Sequence, residues 1–321
     1  MKKRKLLSVV LSTLVTFSIL STASVVTANA ATNVKVRALS NCYDSDSYIA
    51  SMQKQVHKNK SNVKVVSLSS QYIKYQYKKD SAHPGKIISK AIVSNQQEYL
   101  KENSAEMSKN VQANDIQRSD IYPGHNTRDS GDAYSWIKLT LEVDYTSPGN
   151  YDVYGFFDWL KSPYYYQTDF IAIQQDSKLA FTHGSGEAYV YMDSFQPSIN
   201  NNFYDCGVYP VTNHIVSGQP GSTDQIYGVG TRFDLEKMVT GPYAMDPHCY
   251  GVEHVKAIRD TSDPLAELAV GYEHEEENLA IDPQLTITPA GGDLKVTVTG
   301  KAHYDSATVA GSVDLSYGAQ I

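Results

Sequence analysis

Cysteine is scarce in this chain, with three in 321 residues: Cys42, Cys206 and Cys249. They form no Cys-x-x-Cys pair. His248-Cys249 with His254 lacks a second ligand pair at a metal-binding interval, which excludes a structural zinc module. Several catalytic signatures are also missing. A serine nucleophile elbow needs Gly-x-Ser-x-Gly before a helix. Thr182-His183-Gly184-Ser185-Gly186 has its glycines at the wrong offsets and reads as a bare turn. A zinc peptidase needs two histidines one helical turn apart. His274-Glu275-Glu276-Glu277-Asn278 supplies only one and reads as a solvated acidic loop. No phosphate-cradling Gly loop with Lys occurs, and Gly228-Val229-Gly230 is too short for a dinucleotide fingerprint. No cofactor is expected.

Long apolar runs are absent after residue 20, so nothing beyond the N-terminus suggests a membrane span. The N-terminus itself has three parts. Lys2, Lys3, Arg4 and Lys5 lead an apolar stretch from Leu6 to Leu20, and Ala28-Asn29-Ala30 supplies small residues at its end. This is the layout of a secretory signal peptide over residues 1–30 and predicts a secreted, extracellular product. Outside the cell Cys206 and Cys249 can oxidise, and they are the expected disulfide. Closing their interval would stabilise the chain by about 4 kcal/mol. Cys42 would remain an odd thiol.

The whole chain carries a formal net charge of −7, unevenly placed. Residues 31–118 hold 14 basic and 7 acidic side chains, net +7, whereas residues 119–321 hold 10 basic and 28 acidic, net −18. The contrast predicts two units: a basic N-terminal segment over 31–118 and an acidic domain over 133–321, with a loop-rich linker at 119–132. The basic segment fits a pro-region or an arm docking on the acidic unit by long-range attraction. Two solvated surfaces of different charge are the plain alternative.

Periodicity sets the fold class. Ile137, Leu139, Leu141 and Val143 alternate with Lys138, Thr140 and Glu142, the pattern of a half-buried strand with the polar face in water. Ser147-Pro148-Gly149-Asn150 then turns the chain into a second strand at Tyr151–Phe157. Further strand-like runs cover 168–174, 187–192, 226–235, 250–258, 266–272, 284–288 and 294–299, the last two as a hairpin. The acidic domain is therefore expected to be mainly β, an antiparallel β-sandwich. The basic segment reads as smaller and mixed α/β or partly disordered. Ile49, Met52 and Val56 share one helix face, Ile73, Tyr75 and Tyr77 one strand face, and 86–109 has helical composition.

Tyrosine is the enriched aromatic, 24 against 8 Phe. Trp159, Tyr164, Tyr165 and Tyr166 cluster in one stretch and are the candidate ligand-binding residues, since a flat ring with a polar rim suits a sugar face or a protein interface. Core packing of Trp159 is the competing reading. Asp152, Asp158 and Asp169 flank the same stretch, and a pair of carboxyls facing one sugar would make a glycosidase. Asp129-Ser130-Gly131-Asp132 offers hard oxygens for calcium but lacks the EF-hand spacing, and an Asx turn explains it.

The succession Trp136-Ile137-Lys138-Leu139, Tyr151-Asp152-Val153-Tyr154-Gly155-Phe156-Phe157-Asp158-Trp159-Leu160, Pro163 and Thr168-Asp169 resembles uncharacterised secreted β-rich proteins of Gram-positive bacteria. The resemblance implies an extracellular β-rich protein and transfers no catalytic residue. A secreted, non-catalytic binding or interaction protein is the function these readings favour. Its partner would be a cell-wall polymer or another protein, with no nucleic acid and no membrane span after signal cleavage. The alternatives are a secreted hydrolase of cell-wall polysaccharide and a secreted toxin or antimicrobial factor.

Overall fold

β-Branched and aromatic residues alternating with polar ones make strands the main element of this chain. The computed structural model describes residues 48–60, 63–79, 87–112, 132–161, 163, 167–197, 203–220, 222–235, 239–240, 243–244, 248–260, 262–276, 281–290, 295–299 and 303–316. In chain order these form α1 (Tyr48–His57), β1 (Lys64–Lys79), β2 (Ile87–Ser94), α2 (Gln96–Gln112), β3 (Asp132–Ser147), β4 (Asn150–Lys161), β5 (Thr168–Gln175), β6 (Leu179–Phe181), β7 (Glu187–Pro197) and β8 (Phe203–Val216). There follow β9 (Ser222–Gln225), β10 (Gly228–Asp234), β11 (Val239–Thr240), β12 (Tyr243–Ala244), β13 (His248–Arg259), β14 (Leu265–Glu275), β15 (Ile281–Thr286), β16 (Lys295–Thr299) and β17 (Tyr304–Asp314). Among the described residues no helix is long and apolar enough to cross a membrane.

Two antiparallel sheets carry the fold. The larger has eight strands in the order β2-β1-β3-β4-β13-β7-β8, with β6 also pairing β13, and the smaller runs β17-β14-β5-β10-β9. Their inner faces share one apolar core. Ile73, Tyr75 and Tyr77 of β1, Ile137 to Val143 of β3, and Phe157 and Trp159 of β4 meet Ile171 and Ile173 of β5, Phe233 of β10 and Val270 and Tyr272 of β14. This is a mainly β antiparallel sandwich, as the periodicity predicts. The sheets approach closely at Gly155, where a Cβ would lie 2.9 Å from Val270 Cγ2. Gly149, at φ +75°, makes the turn between β3 and β4. The hairpin expected over 284–299 is present as β15 and β16.

The N-terminal segment is mixed α/β but is no appendage. Strand β1 lies between β2 and β3 and pairs with β3 from Lys64↔Tyr145 to Lys78↔Asp132. Residues Val36–Ile321 cluster as one compact unit, which corrects the expected division into a basic segment and an acidic domain. The reason is physical: Ile73, Tyr75 and Tyr77 can leave water only against the same core that β3 and β4 bury. Helical composition over 86–109 also divides differently. Residues 87–94 form edge strand β2, and α2 begins after Asn95, whose Oδ1 accepts the Glu98 N–H at 3.0 Å as an N-cap. The polar face of β3 is not in water either. Lys138, Thr140 and Glu142 are buried.

The disulfide expectation is corrected as well. Cys249 is a free, buried thiol on β13. Strand β7 separates β13 from β8, which carries Cys206. Strands two apart in a sheet lie about 9.5 Å from each other. A disulfide spans Cα atoms at most about 7 Å apart. Residues 1–30, Cys42, the 119–131 part of the linker and Asp129–Gly131 lie outside the described residues.

Candidate functional site

Helix α1 lies on the outer face of the larger sheet. Ile49 and Met52 are buried, and with Val56 they pack on Tyr154, Phe156, Tyr250 and Val252. The sequence spacing of these three apolar residues is thus realised as a face. Asp158 Oδ2 accepts the Tyr48 N–H at 2.9 Å, a carboxylate at the positive end of the helix. Tyr48 stacks on Tyr250 with centroids 4.6 Å apart. The first turn is thereby fixed to β4 and β13.

The last turn of α1 covers a charged layer. Register places Glu142, Tyr154, His254 and Glu187 in a row across β3, β4, β13 and β7, with Asp144 opposite Asp152. His57 Nε2 lies 2.8 Å from Glu142 Oε1 and 2.9 Å from Asp144 Oδ2. Gln53 Nε2 donates to Glu142 Oε2 at 2.5 Å. Lys60 Nζ reaches Asp152 Oδ2 at 2.5 Å and donates to the Tyr154 hydroxyl. His254 bridges Asp152 Oδ1 (3.3 Å) and Glu187 Oε1 (3.0 Å) and stacks on Tyr154 at 4.6 Å.

The electrostatics follow from burial and pairing. Burial alone would lower the His57 pKa, but hydrogen bonds to Asp144 and Glu142 outweigh it and raise it to about 9. Burial likewise works to raise Asp152, yet bonds from His254 and Lys60 hold it down at about 2. Glu142 is pushed up, chiefly by burial, against the bonds from His57 and Gln53. Sequence reading missed this layer because Glu142 looks solvated on an alternating strand. The signal lay in the helix beside it, since Ile49, Met52 and Val56 demand a sheet face to cover.

Trp159 does not contact solvent. It is fully buried among Tyr75, Tyr272 and His274. Its indole N–H donates to the Tyr272 hydroxyl at 2.9 Å, and that hydroxyl donates to Asp169 Oδ2 at 2.6 Å. The competing reading of Trp159 as a core residue is therefore the one realised. Tyr164, Tyr165 and Tyr166 lie outside the described residues. Asp152 and Asp158 belong to the outer, α1-covered face of β4, whereas Asp169 sits in the core with His274 Nδ1 at 3.0 Å. Asp169, on the other sheet and facing the core, cannot share one sugar with Asp152 or Asp158 on the outer face of β4. The solvated loop expected at 273–277 is also corrected, since Glu273, His274, Glu275 and Glu276 are all buried.

An exposed cleft of ≈ 280 Å³ is built from two turns and strand β9. It is lined by His183 and Gly184, by Ser217, Gly218 and Gln219, and by Ser222 and Asp224. Gly184 (φ +74°) and Gly218 (φ +85°) adopt a backbone that other residues resist. Asp224 Oδ2 accepts the Gly184 N–H at 3.1 Å and lies 2.8 Å from His183 Nδ1. The His183 side chain is 92% exposed. Ser185 is locked in the turn: its hydroxyl donates to Thr182 O at 2.7 Å and accepts the Lys256 N–H at 3.1 Å. The turn expected over 182–186 is present. Beside Asp224, the β9–β10 hairpin tip holds Ile226, 84% exposed, and the exposed Tyr227.

No protein-family model matches the chain, and no curated protein matches it. Solved structures with a local likeness include surface and toxin proteins of Gram-positive bacteria. The collagen-binding subdomain of the Enterococcus faecalis surface protein ACE is 9% identical, covering 50% of this chain and 86% of that one, with a TM-score of 0.23. The collagen-binding domain from a Staphylococcus aureus adhesin is 14% identical over 49% and 87%, with a TM-score of 0.22. Clostridium perfringens delta-toxin is 9% identical over 57% and 86%, with a TM-score of 0.25. At such scores the likeness carries no argument about the activity of this chain.

Proposed function

We propose that this chain is an exported, non-catalytic binding protein that holds a hydroxyl-rich extracellular polymer in the cleft between His183 and Asp224. The observation that carries the reading is the composition and rigidity of that cleft. Its lining carries the Ser217 hydroxyl, the Gln219 carboxamide, the Asp224 carboxylate and the His183 imidazole, while Ser222 ties the Gly218 turn by donating to Gln219 O at 2.8 Å and accepting the Gly218 N–H at 2.9 Å. Such groups match the many donors and acceptors of a sugar polymer. The signal-like first thirty residues support export. The carboxyl pairing that a hydrolase would need across Asp158 and Asp169 is divided between the outer face of the larger sheet and the core side of the smaller one.

The test is sedimentation with purified cell walls, combined with an assay of soluble reducing sugar. The wild-type protein is expected to pellet with the wall and release no sugar. Asp224→Ala is expected to lower the retained fraction severalfold with its circular dichroism unchanged. Sugar release by the wild-type protein would replace binding by hydrolysis, and equal retention of the variant would remove the cleft from the account.

A further inference from the structure

We infer that His57, Glu142 and Asp144 form a binding site for a divalent transition-metal ion that ties α1 to β3. The three side chains present one imidazole nitrogen and two carboxylate oxygens, all within 4.8 Å of one another. That donor set suits Zn²⁺, Mn²⁺ or Fe²⁺. The spacing is also right. Ligand atoms 2.8 and 2.9 Å apart are adjacent corners of an octahedron whose metal–ligand bonds are about 2.0 Å, the length such ions take with nitrogen and oxygen. Ca²⁺ needs about 2.3–2.6 Å and mostly oxygen ligands, so the same corners are too close for it.

A second observation points the same way. Nε2 of His57 makes its hydrogen bond to Asp144 Oδ2 at 2.9 Å. Glu142 Oε1 sits 2.8 Å from the same nitrogen, so one ring nitrogen is shared between two fully buried carboxylates. Asp144 Oδ1 is buried and has no hydrogen-bond partner among the described residues. Leaving a buried carboxylate oxygen unmatched is costly, and a cation between the three ligand atoms removes the cost. Gln53 steadies the other Glu142 oxygen at 2.5 Å, the outer support that metal-binding carboxylates receive. A looser group, Glu276, His303 and Asp305, lacks this fit. Its nitrogen–oxygen separations are 3.8 and 3.9 Å, and the His303 side chain is 54% exposed.

The test uses the purified full chain stripped with chelator, then titrated calorimetrically with Zn²⁺ or Mn²⁺, with Ca²⁺ as the control. One ion per chain is expected to bind, with Ca²⁺ failing to compete. At a free ion concentration 100-fold above Kd, the folded-to-unfolded ratio should rise about 100-fold, read as a higher Tm. His57→Gln and Glu142→Gln should abolish the rise, while His303→Gln keeps it. Absence of binding to the wild-type chain would overturn the inference without reference to any variant. So would binding that survives His57→Gln or is lost in His303→Gln. Co²⁺ loaded into the wild-type chain should give the weak absorption of six-coordination, and an intense tetrahedral band would contradict the geometry.

Discussion

Replacing Glu253 with Gln should stabilise the protein in mild alkali and not in mild acid. Glu253 lies on β13 between Gly155 and Ala188, and is 1% exposed. One of its oxygens, Oε2, has no hydrogen-bond partner among the described residues. Burial pushes its pKa up to about 8, and a bond from Thr231 opposes this only in part. At neutral pH the folded protein therefore keeps a proton that the unfolded chain has released. Below the ordinary glutamate value both states are protonated and stability is whole. As pH rises toward 8 the unfolded state alone gains from ionisation, so stability falls until the folded group also ionises. A shift of this size corresponds to about 5 kcal/mol at ~1.4 kcal/mol per pKa unit. Structural relaxation and water entry reduce it to an expected 2–4 kcal/mol. Glutamine cannot ionise, though its amide needs a partner and costs about 1 kcal/mol. Urea unfolding of both proteins at pH 5.5 and pH 8.5 measures the difference. Glu253→Gln should be about equal in stability at the lower pH and stronger by about 1–3 kcal/mol at the higher. The same stability difference at both values would refute the reasoning.

Three further outcomes follow from the sandwich. Gly155→Ala places a Cβ 2.9 Å from Val270 Cγ2 and should cost about 1–3 kcal/mol; an unchanged melting temperature would show that the sheets separate freely there. Trp159→Phe removes the donor to Tyr272 and leaves a void, for a loss of about 2–4 kcal/mol, while wall retention per mole of folded protein stays the same. A drop in retention would restore Trp159 as a contact residue. A chain beginning at residue 119 loses β1 and β2 and should show no cooperative urea transition, because Ile73, Tyr75 and Tyr77 belong to the common core. A sigmoidal transition would revive the pro-region.

Much of the sandwich was legible because a strand reports its two faces in its own sequence. Ile137 to Val143, Ile73 to Tyr77 and the 284–299 hairpin all read correctly, as did the helix face of Ile49, Met52 and Val56. Strand β2 was not legible, since Ile88, Ala91 and Ile92 suit helical spacing as well as an edge strand. Strand β8 hid behind Pro210, which a sheet edge tolerates. The sites were less visible for a different reason. Period two shows which residues share a face but not what covers it, so Glu142 and Lys138 looked solvated until α1 and α2 were placed above them. The cleft joins turns at 183–184 and 217–219 to strand β9 at 222–224, and no local pattern brings such positions together.

The binding reading is tested most directly by amide chemical shifts of the labelled protein during titration with a solubilised cell-wall glycan. The account predicts saturable shifts grouped at Gly184, Ser217, Gly218, Ser222 and Asp224, no shift at Gly251 on the α1-covered sheet, and an intact glycan at the end. Shifts grouped away from the cleft, or shortening of the glycan during the titration, would contradict it.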